Sequence, residues 1–342
     1  MGSSGPERIG FLLIPRFSMI AFTSAIEPLR LANRETGRQL YEWAILSADG
    51  APVEASNGIA VRTDYSLAQI DGTSGARPSA LELDMAIVCS GIAVEGFDDP
   101  RVRAWLRTRA RRGVSIGALC TGAHVLASAG LLDGHRCSIH WENLPGFVET
   151  FPHIEASADL YEVDGKRFTC AGGTAALDMM LHLMAEKYGT ELATRVSEQC
   201  LVDRMRGPHD RQRLPLRTRL GVHNRKLITA VEIMEANLAE PITQEQLSLY
   251  VGLSGRQLER LFRSHLGRTP SQFYRELRLE RARHLLYQTE LPIVELALAC
   301  GFSSASHFSK CYREMYGIAP SEERARSENA KARDIGPSFK VP

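Results

Sequence analysis

Cys120 stands in Ile116-Gly117-Ala118-Leu119-Cys120-Thr121-Gly122-Ala123, straight after a short apolar run and straight before a helical pattern. A thiol at such a strand-to-helix turn lies at a helix N-terminus. There the dipole and the free N–H groups lower its pKa and can hold an oxyanion. This is nucleophile-elbow geometry. A second kind of chemistry is written further along the chain. Over 255–265, Leu258, Leu261 and Phe262 share one helical face, while Arg256, Glu259, Arg260 and Arg263 point elsewhere. A helix that reads DNA needs this division: apolar residues seat it on a scaffold, and long polar ones reach base edges and phosphates.

Both arrangements need elements to position them. Apolar runs at 9–14, 43–47, 85–89 and 114–119 read as strands. Helical spacing over 20–32 (Ser18 as N-cap), 100–112 and 122–129 alternates with them. Further strands are expected at 136–141, 155–163 and 167–171, then helices at 175–187 and 191–205. Such alternation predicts a parallel sheet with helices on both faces. The stretch 206–221 holds Gly207, Pro208, Pro215 and Gly221 with little periodicity, and reads as an interdomain linker. Helices resume near Lys226. The segment 325–342 is charged, contains Pro and Gly, and is expected to be a disordered tail.

The helical half contains a repeat. Leu247, Gly252, Leu253, Ser254, Leu258, Phe262, Gly267, Pro270 and Ser271 match Leu296, Gly301, Phe302, Ser303, Phe308, Tyr312, Gly317, Pro320 and Ser321, with one residue inserted after Ser303. Each copy is a lead helix (244–250 behind Thr243, and 293–300), a turn at Gly, and a second amphipathic helix (255–265 behind Ser254, and 304–315). That is a helix-turn-helix signature, present twice. An Arg-rich helix over 271–288 joins the copies as a stiff spacer, which two groove-reading helices in one chain require because grooves on one face recur every ~34 Å.

Composition narrows the classes. The chain has 342 residues and a formal net charge of +1, so basic residues matter locally and not globally. No apolar run approaches the ~20 residues of a membrane span. Residues 1–5 are small and polar, unlike a signal peptide. Seven cysteines lie scattered without CxxC or Cys/His zinc spacing, which points to free thiols in a reducing cytoplasm and to no metal site. No cofactor is expected.

The run Ala297-x-x-Cys300-Gly301-Phe302-Ser303-Ser304-x-Ser306-x-Phe308-x-Lys310-x-Tyr312-x-x-x-Tyr316-Gly317-x-x-Pro320-x-x-x-Arg324 resembles the signature of AraC-type transcription regulators. The resemblance covers 222–324 and implies a seven-helix domain whose two recognition helices enter successive major grooves. By position it implies base contacts from Arg256, Glu259 and Arg260, and from Ala305, Ser306, His307, Ser309 and Lys310. Cys311 departs from the pattern, since a basic residue or Thr is common there. The Cys120 elbow and Glu27-Pro28-Leu29 make residues 8–205 similar to ThiJ/PfpI-type domains of the class I glutamine amidotransferase-like superfamily. That resemblance implies a flavodoxin-like α/β domain in which Glu27 reaches the elbow and His140 lies where a catalytic His can lie. Cys120, His140 and Glu27 then form a candidate catalytic set.

Protease-like members carry His directly after the Cys, whereas this chain has Thr121. A fusion of such a domain to an AraC-type domain resembles the GlxA group, where the old cleft is expected to serve as an effector pocket without catalysis. Glu27 then offers a charge for an amine or quaternary ammonium, and Trp141 a cation–π face worth ~0.5–2 kcal/mol. His140 lines the same cleft. The amides of Cys120, Thr121 and Gly122 can accept a carboxylate, and Thr174 opens a helix after Gly172-Gly173 as a second anion-friendly point. The set suits an amino acid or a betaine. The expected protein is a homodimeric, effector-responsive activator of a catabolic operon, working on promoter DNA with RNA polymerase. A cysteine hydrolase or amidase, or a thiol redox sensor, bearing a DNA-binding domain is the alternative.

Overall fold

The computed structural model describes residues 5–71 and 82–326. Contacts divide the chain between Gln212 and Arg213. The first unit runs β1 (Glu7–Leu13), α1 (Met19–Thr36), β2 (Tyr41–Ser47), β3 (Val53–Glu54), β4 (Ala60–Val61), β5 (Tyr65–Ser66), α2 (Leu67–Ile70), β6 (Met85–Cys89), α3 (Pro100–Arg111), β7 (Ser115–Leu119), α4 (Gly122–Ser128), β8 (Arg136–Ser138), α5 (Leu144–Thr150), β9 (Glu155–Ser157), β10 (Tyr161–Asp164), β11 (Arg167–Cys170), α6 (Ala175–Tyr188) and α7 (Thr190–Gln199). The second runs α8 (Leu216–Leu220), α9 (Arg225–Ala236), α10 (Gln244–Val251), α11 (Gly255–Leu266), α12 (Pro270–Gln288), α13 (Ile293–Ala299) and α14 (Ala305–Tyr316), and residues 320–326 are helical.

The α/β unit is built on a sheet of order β10-β11-β7-β6-β1-β2-β5, parallel except for β10. The central strands are buried on both faces, which is why they read as continuous apolar runs. One core layer holds Phe11, Leu29, Leu119 and Met180 with α1, α6 and α7. The other holds Leu12, Val88, Trp105 and Leu126 with α3 and α4. The chain leaves β1 toward β2 and returns on the other side of β1 through β6. That reversal opens a crevice at the carboxyl ends of the strands. The ridge after β1 and the end of β6 meet there, with Ser18 N–H donating to Ser90 C=O and Ile92 N–H to Arg16 C=O.

Several boundaries differ from those read in the sequence, and two of the strand breaks share a reason. The strand expected over 136–141 stops at Ser138, and the one expected over 155–163 breaks between β9 and β10. In both gaps the backbone bonds to chain that comes much later. Gln212 engages Ile139, Trp141 and Asp159, and Leu160 N–H donates to Pro208 C=O. The helix expected to reach 205 ends at Gln199, where Leu201 takes a left-handed φ of 54°. Within the stretch 206–221, residues 206–212 are bonded to the α/β unit, and Leu216 is buried in the helical one. The hairpin of β3 and β4, the β5–α2 pair, α5 and α8 carried no periodicity long enough to be seen. Helix α1 runs past Ala32 to Thr36, closed by Gly37. The expected tail continues as helix to residue 326, and 327–342 lie outside the described residues.

In the helical unit, α12 packs against α11, α13 and α14, so one 19-residue rod serves both repeats. Arg278 on this rod stacks over Phe302, 4.7 Å from the ring centroid, and donates to Gly301 C=O at 2.9 Å. Gly301, at φ 73°, turns the second repeat against the loop after α9; a Cβ there would lie 2.4 Å from the Pro241 ring and 2.8 Å from Leu238 C=O. The second repeat is closed by Glu323, which is 5% exposed and accepts from Tyr312 at 2.6 Å, from Arg283 at 2.9 Å and from Tyr287. Burial pushes the Glu323 carboxyl up, but these donors outweigh it and hold it below its ordinary value. A depressed carboxylate contributes stability that is complete above its unfolded pKa and is lost as pH falls through the folded one. Glu323→Gln is therefore expected to lower stability at pH 7 by about 1–3 kcal/mol in urea unfolding, with the gap closing as pH drops below 4.5. Equal midpoints at pH 7 would remove this role.

Candidate functional site

The crevice holds Cys120, set between β7 and α4 with φ 60°. A non-glycine residue keeps such a conformation only where its surroundings enforce it. Here Cys120 N–H donates to Cys170 C=O at 3.0 Å, and Gly172 lies so close that a Cβ on it would sit 2.6 Å from the Cys120 Cβ. The turn is thus the expected elbow, but its electrostatics run the other way. Burial pushes the Cys120 thiol up to about 11, the Thr121 N–H opposes this, and the Glu142 carboxylate adds to it. The sulfur is a protonated thiol at neutral pH.

The proposed catalytic partners do not converge on it. Glu27 lies exposed on α1 and pairs with Arg30 at 2.7 Å. Among the described residues no hydrogen bond links Cys120, His140 and Glu27. Burial lowers the His140 pKa, with Glu142 opposing, so its ring is neutral at pH 7; it lies against Trp141 with centroids 5.6 Å apart. Thr121 faces inward, 2% exposed, donating to Gly91 C=O at 2.6 Å and lying 3.2 Å from Ser90 Oγ. Gly122 is buried too, so these two residues have only backbone groups to offer.

Beside this, a groove of about 590 Å³ is lined by Glu27, Thr174, Asp178, Cys200 and Arg206, among others. It begins at Thr174, two residues beyond Gly172, which abuts Cys120. Thr174 makes no capping bond to α6 and accepts from Arg206 at 2.7 Å. Arg206 also clasps Asp178, a carboxylate only 2% exposed, at 2.6 Å. Residues missed by sequence reasoning therefore shape the cleft. Glu142 was visible in the His140 segment, but nothing in the sequence tied it to Cys120, whose thiol it influences. Arg206 and Gln212 lay in the presumed linker. No cluster of three His, Cys, Asp or Glu fit to hold a metal occurs among the described residues.

The helical unit carries the second candidate surface. Capping boxes Thr243/Gln246 and Ser254/Gln257 fix where α10 and α11 begin, and Gly252 turns between them at φ 62°. Leu258 and Phe262 are fully buried, while Arg256, Arg260 and Arg263 are exposed. Glu259 is half-buried and pairs with Arg263 at 2.9 Å. On α14, capped by Ser304, the anchors Phe302, Phe308 and Tyr312 are buried. Ser306, His307 and Lys310 are exposed, and Ala305 and Ser309 are half-buried. Cys311 is buried with its sulfur 3.4 Å from His307 Nε2, and Phe302 meets the same ring edge-on. The departure at Cys311 thus orients His307. Arg313 is exposed at the position matching Arg263, a residue the repeat itself could have pointed out.

The helix-turn-helix domain family matches residues 247–326, and the DJ-1/PfpI family matches residues 7–186. The chain is similar to the HTH-type transcriptional regulator GbdR of Pseudomonas aeruginosa (strain UCBPP-PA14), with 47% identity over 93% of this chain and 84% of the relative. It is 37% identical to the HTH-type transcriptional regulator GlxA of Rhizobium meliloti (strain 1021), over 95% of this chain and 98% of the relative. A solved AraC family transcriptional regulator from Pseudomonas putida aligns with 57% of this chain and 100% of its own, at 31% identity and a TM-score of 0.51.

The thiol at Cys120 gives a direct check. At pH 7.5 iodoacetamide is expected to alkylate it about 100-fold more slowly than free cysteine, because so little thiolate is present. Mass-spectrometric mapping that finds Cys120 the fastest-labelled of the seven cysteines would restore the nucleophile reading.

Proposed function

Because the chain belongs to the DJ-1/PfpI family through its N-terminal half and to the AraC-type helix-turn-helix transcription regulators of the GlxA group along most of its length, we propose that it is an effector-gated regulator whose elbow cleft binds a ligand and turns nothing over. One observation carries this: Cys120 keeps the elbow backbone, yet burial holds its thiol protonated and neither His140 nor Glu27 is bonded to it. Nucleophilic catalysis needs the reverse, an activated thiolate beside a base. The ligand we assign is a small zwitterion, an amino acid or a betaine. Glu142 and the face of Trp141 meet its cationic end, beside the neutral ring of His140. The amides of Thr121 and Gly122, since that of Cys120 is held by Cys170 C=O, and the uncapped start of α6 at Thr174 meet its carboxylate. Glu27, committed to Arg30, lines the neighbouring groove and sets its charge.

In the DNA half, Arg256, Glu259, Arg260 and Arg263, with Ala305, Ser306, His307, Ser309, Lys310 and Arg313, form the reading surfaces of two successive grooves. On this proposal the chain works in the cytoplasm as a homodimer, and the ligand changes how it sits on promoter half-sites and engages RNA polymerase, activating a catabolic operon. No described helix is long and apolar enough to cross a membrane.

Thermal-shift screening of amino acids and betaines is the test, since a bound ligand raises the melting point by mass action. A stabilising compound is expected, and Glu142→Gln should weaken it about tenfold, a loss of ~1.4 kcal/mol. Cys120→Ala should leave affinity for DNA intact. Turnover of the stabilising compound by the purified protein, lost in Cys120→Ala, would sink the noncatalytic reading. Separately, Arg260→Ala is expected to cost about 1–3 kcal/mol at one base position of a duplex selected from a random pool. Equal losses on every sequence variant would reduce Arg260 to a phosphate contact.

A further inference from the structure

The segment leading out of the α/β unit is fastened on both sides of the cleft. At one end Arg206 binds Asp178 through its backbone N–H at 2.8 Å and its guanidinium at 2.6 Å, and reaches Thr174. In the middle, Pro208 C=O accepts from Leu160 N–H, and His209 meets Asp159 at 2.7 Å. At the other end stands Gln212, the last residue of the unit. Its Oε1 accepts from Trp141 N–H at 2.7 Å, and its Nε2 donates to Ile139 C=O at 2.9 Å and to Asp159 C=O at 2.8 Å. Two of the three residues it grips by their backbones, Ile139 and Trp141, flank His140. A side-chain amide has two donors and an acceptor with two lone pairs. Gln212 thus takes the part of a strand neighbour for 139–141, a stretch that pairs with no strand among the described residues. Residue 213 begins the helical unit.

We propose that Gln212 is a positioning residue that couples the cleft to the DNA-binding unit: it sets the His140–Trp141 backbone, and displacement of that backbone moves the point from which the helical unit departs. The proposal rests on reading this cleft as the effector site. Its physical content is a shared set of hydrogen bonds. The 139–141 backbone cannot shift by more than a fraction of an ångström without lengthening the bonds of Gln212 beyond useful range. By linkage the coupling runs both ways, so DNA must be felt at the cleft.

That reciprocity allows a test needing no effector. The full chain is mixed with a duplex that it has itself selected from a random pool, and backbone hydrogen exchange is followed with and without the duplex. In the unmodified protein the duplex is expected to change exchange at 138–142 and at 206–212 together, by about fivefold or more, the low end of ordinary coupling. In Gln212→Ala the response at 138–142 disappears while that at 213–222 remains, and the Kd for the duplex shifts by about fivefold. Gln212→Glu keeps the side-chain volume but turns acceptors toward the carbonyls of Ile139 and Asp159, and should uncouple in the same way. A duplex that leaves 138–142 untouched in the unmodified protein, or variants that keep the response, overturns the proposal. The effector reading stands or falls on the ligand screen without DNA, so the two can fail separately.

Discussion

The cleft depends on how the chain is forced through Cys120. A left-handed residue with a side chain is held there by the bond to Cys170 C=O and by the close approach of Gly172. Those constraints bring the ends of β7 and β11 together, and with them the start of α6. They also enclose the sulfur. Two effects then compete for its proton. A helix N-terminus favours the thiolate by roughly 0.3–1 kcal/mol. Raising a thiol from 9.0 to about 11 represents a penalty of ~3 kcal/mol against the thiolate, and burial supplies most of it. Desolvation wins, and the same backbone that builds a nucleophile elsewhere builds a neutral wall here.

The helical unit rests on rigidity of another kind. A 19-residue helix rises ~28 Å at 1.5 Å per residue, close to one turn of duplex, so α12 is a spacer of the right scale. Length alone would not fix the second repeat. Arg278 over Phe302, Gly301 against Pro241, and Glu323 beneath three donors fasten that repeat to the rest. Each is a contact between elements distant in sequence, and together they make two small modules one body.

What was legible in the sequence was local or periodic. The strand runs, the amphipathic helices, and the caps Ser18, Thr243 and Ser254 announce themselves within a few residues, because capping and amphipathicity act over that range. Cys120 was placed at its turn for the same reason. What escaped were bonds between a side chain and a distant backbone. Gln212 lies 71 residues from Trp141, and Arg206 lies 28 from Asp178. A Gln or an Arg in a Pro- and Gly-containing stretch looks like any solvated residue. The pKa of Cys120 was misjudged because helix position is local, whereas burial is a property of the whole fold.

The ion pair between Glu259 and Arg263 bears on how such a protein finds its site among many wrong ones. If α11 enters the groove as proposed, that acid is repelled by the phosphates that every duplex shares and gains only where a cytosine amino group or similar donor faces it. The whole chain has a net charge of only +1, but the two helices themselves expose Arg256, Arg260, Arg263, Lys310 and Arg313, so attraction to any duplex is supplied locally. On that reading the arginines add to binding on every sequence and the acid subtracts from most, so selectivity at this helix comes from the one residue that opposes attachment.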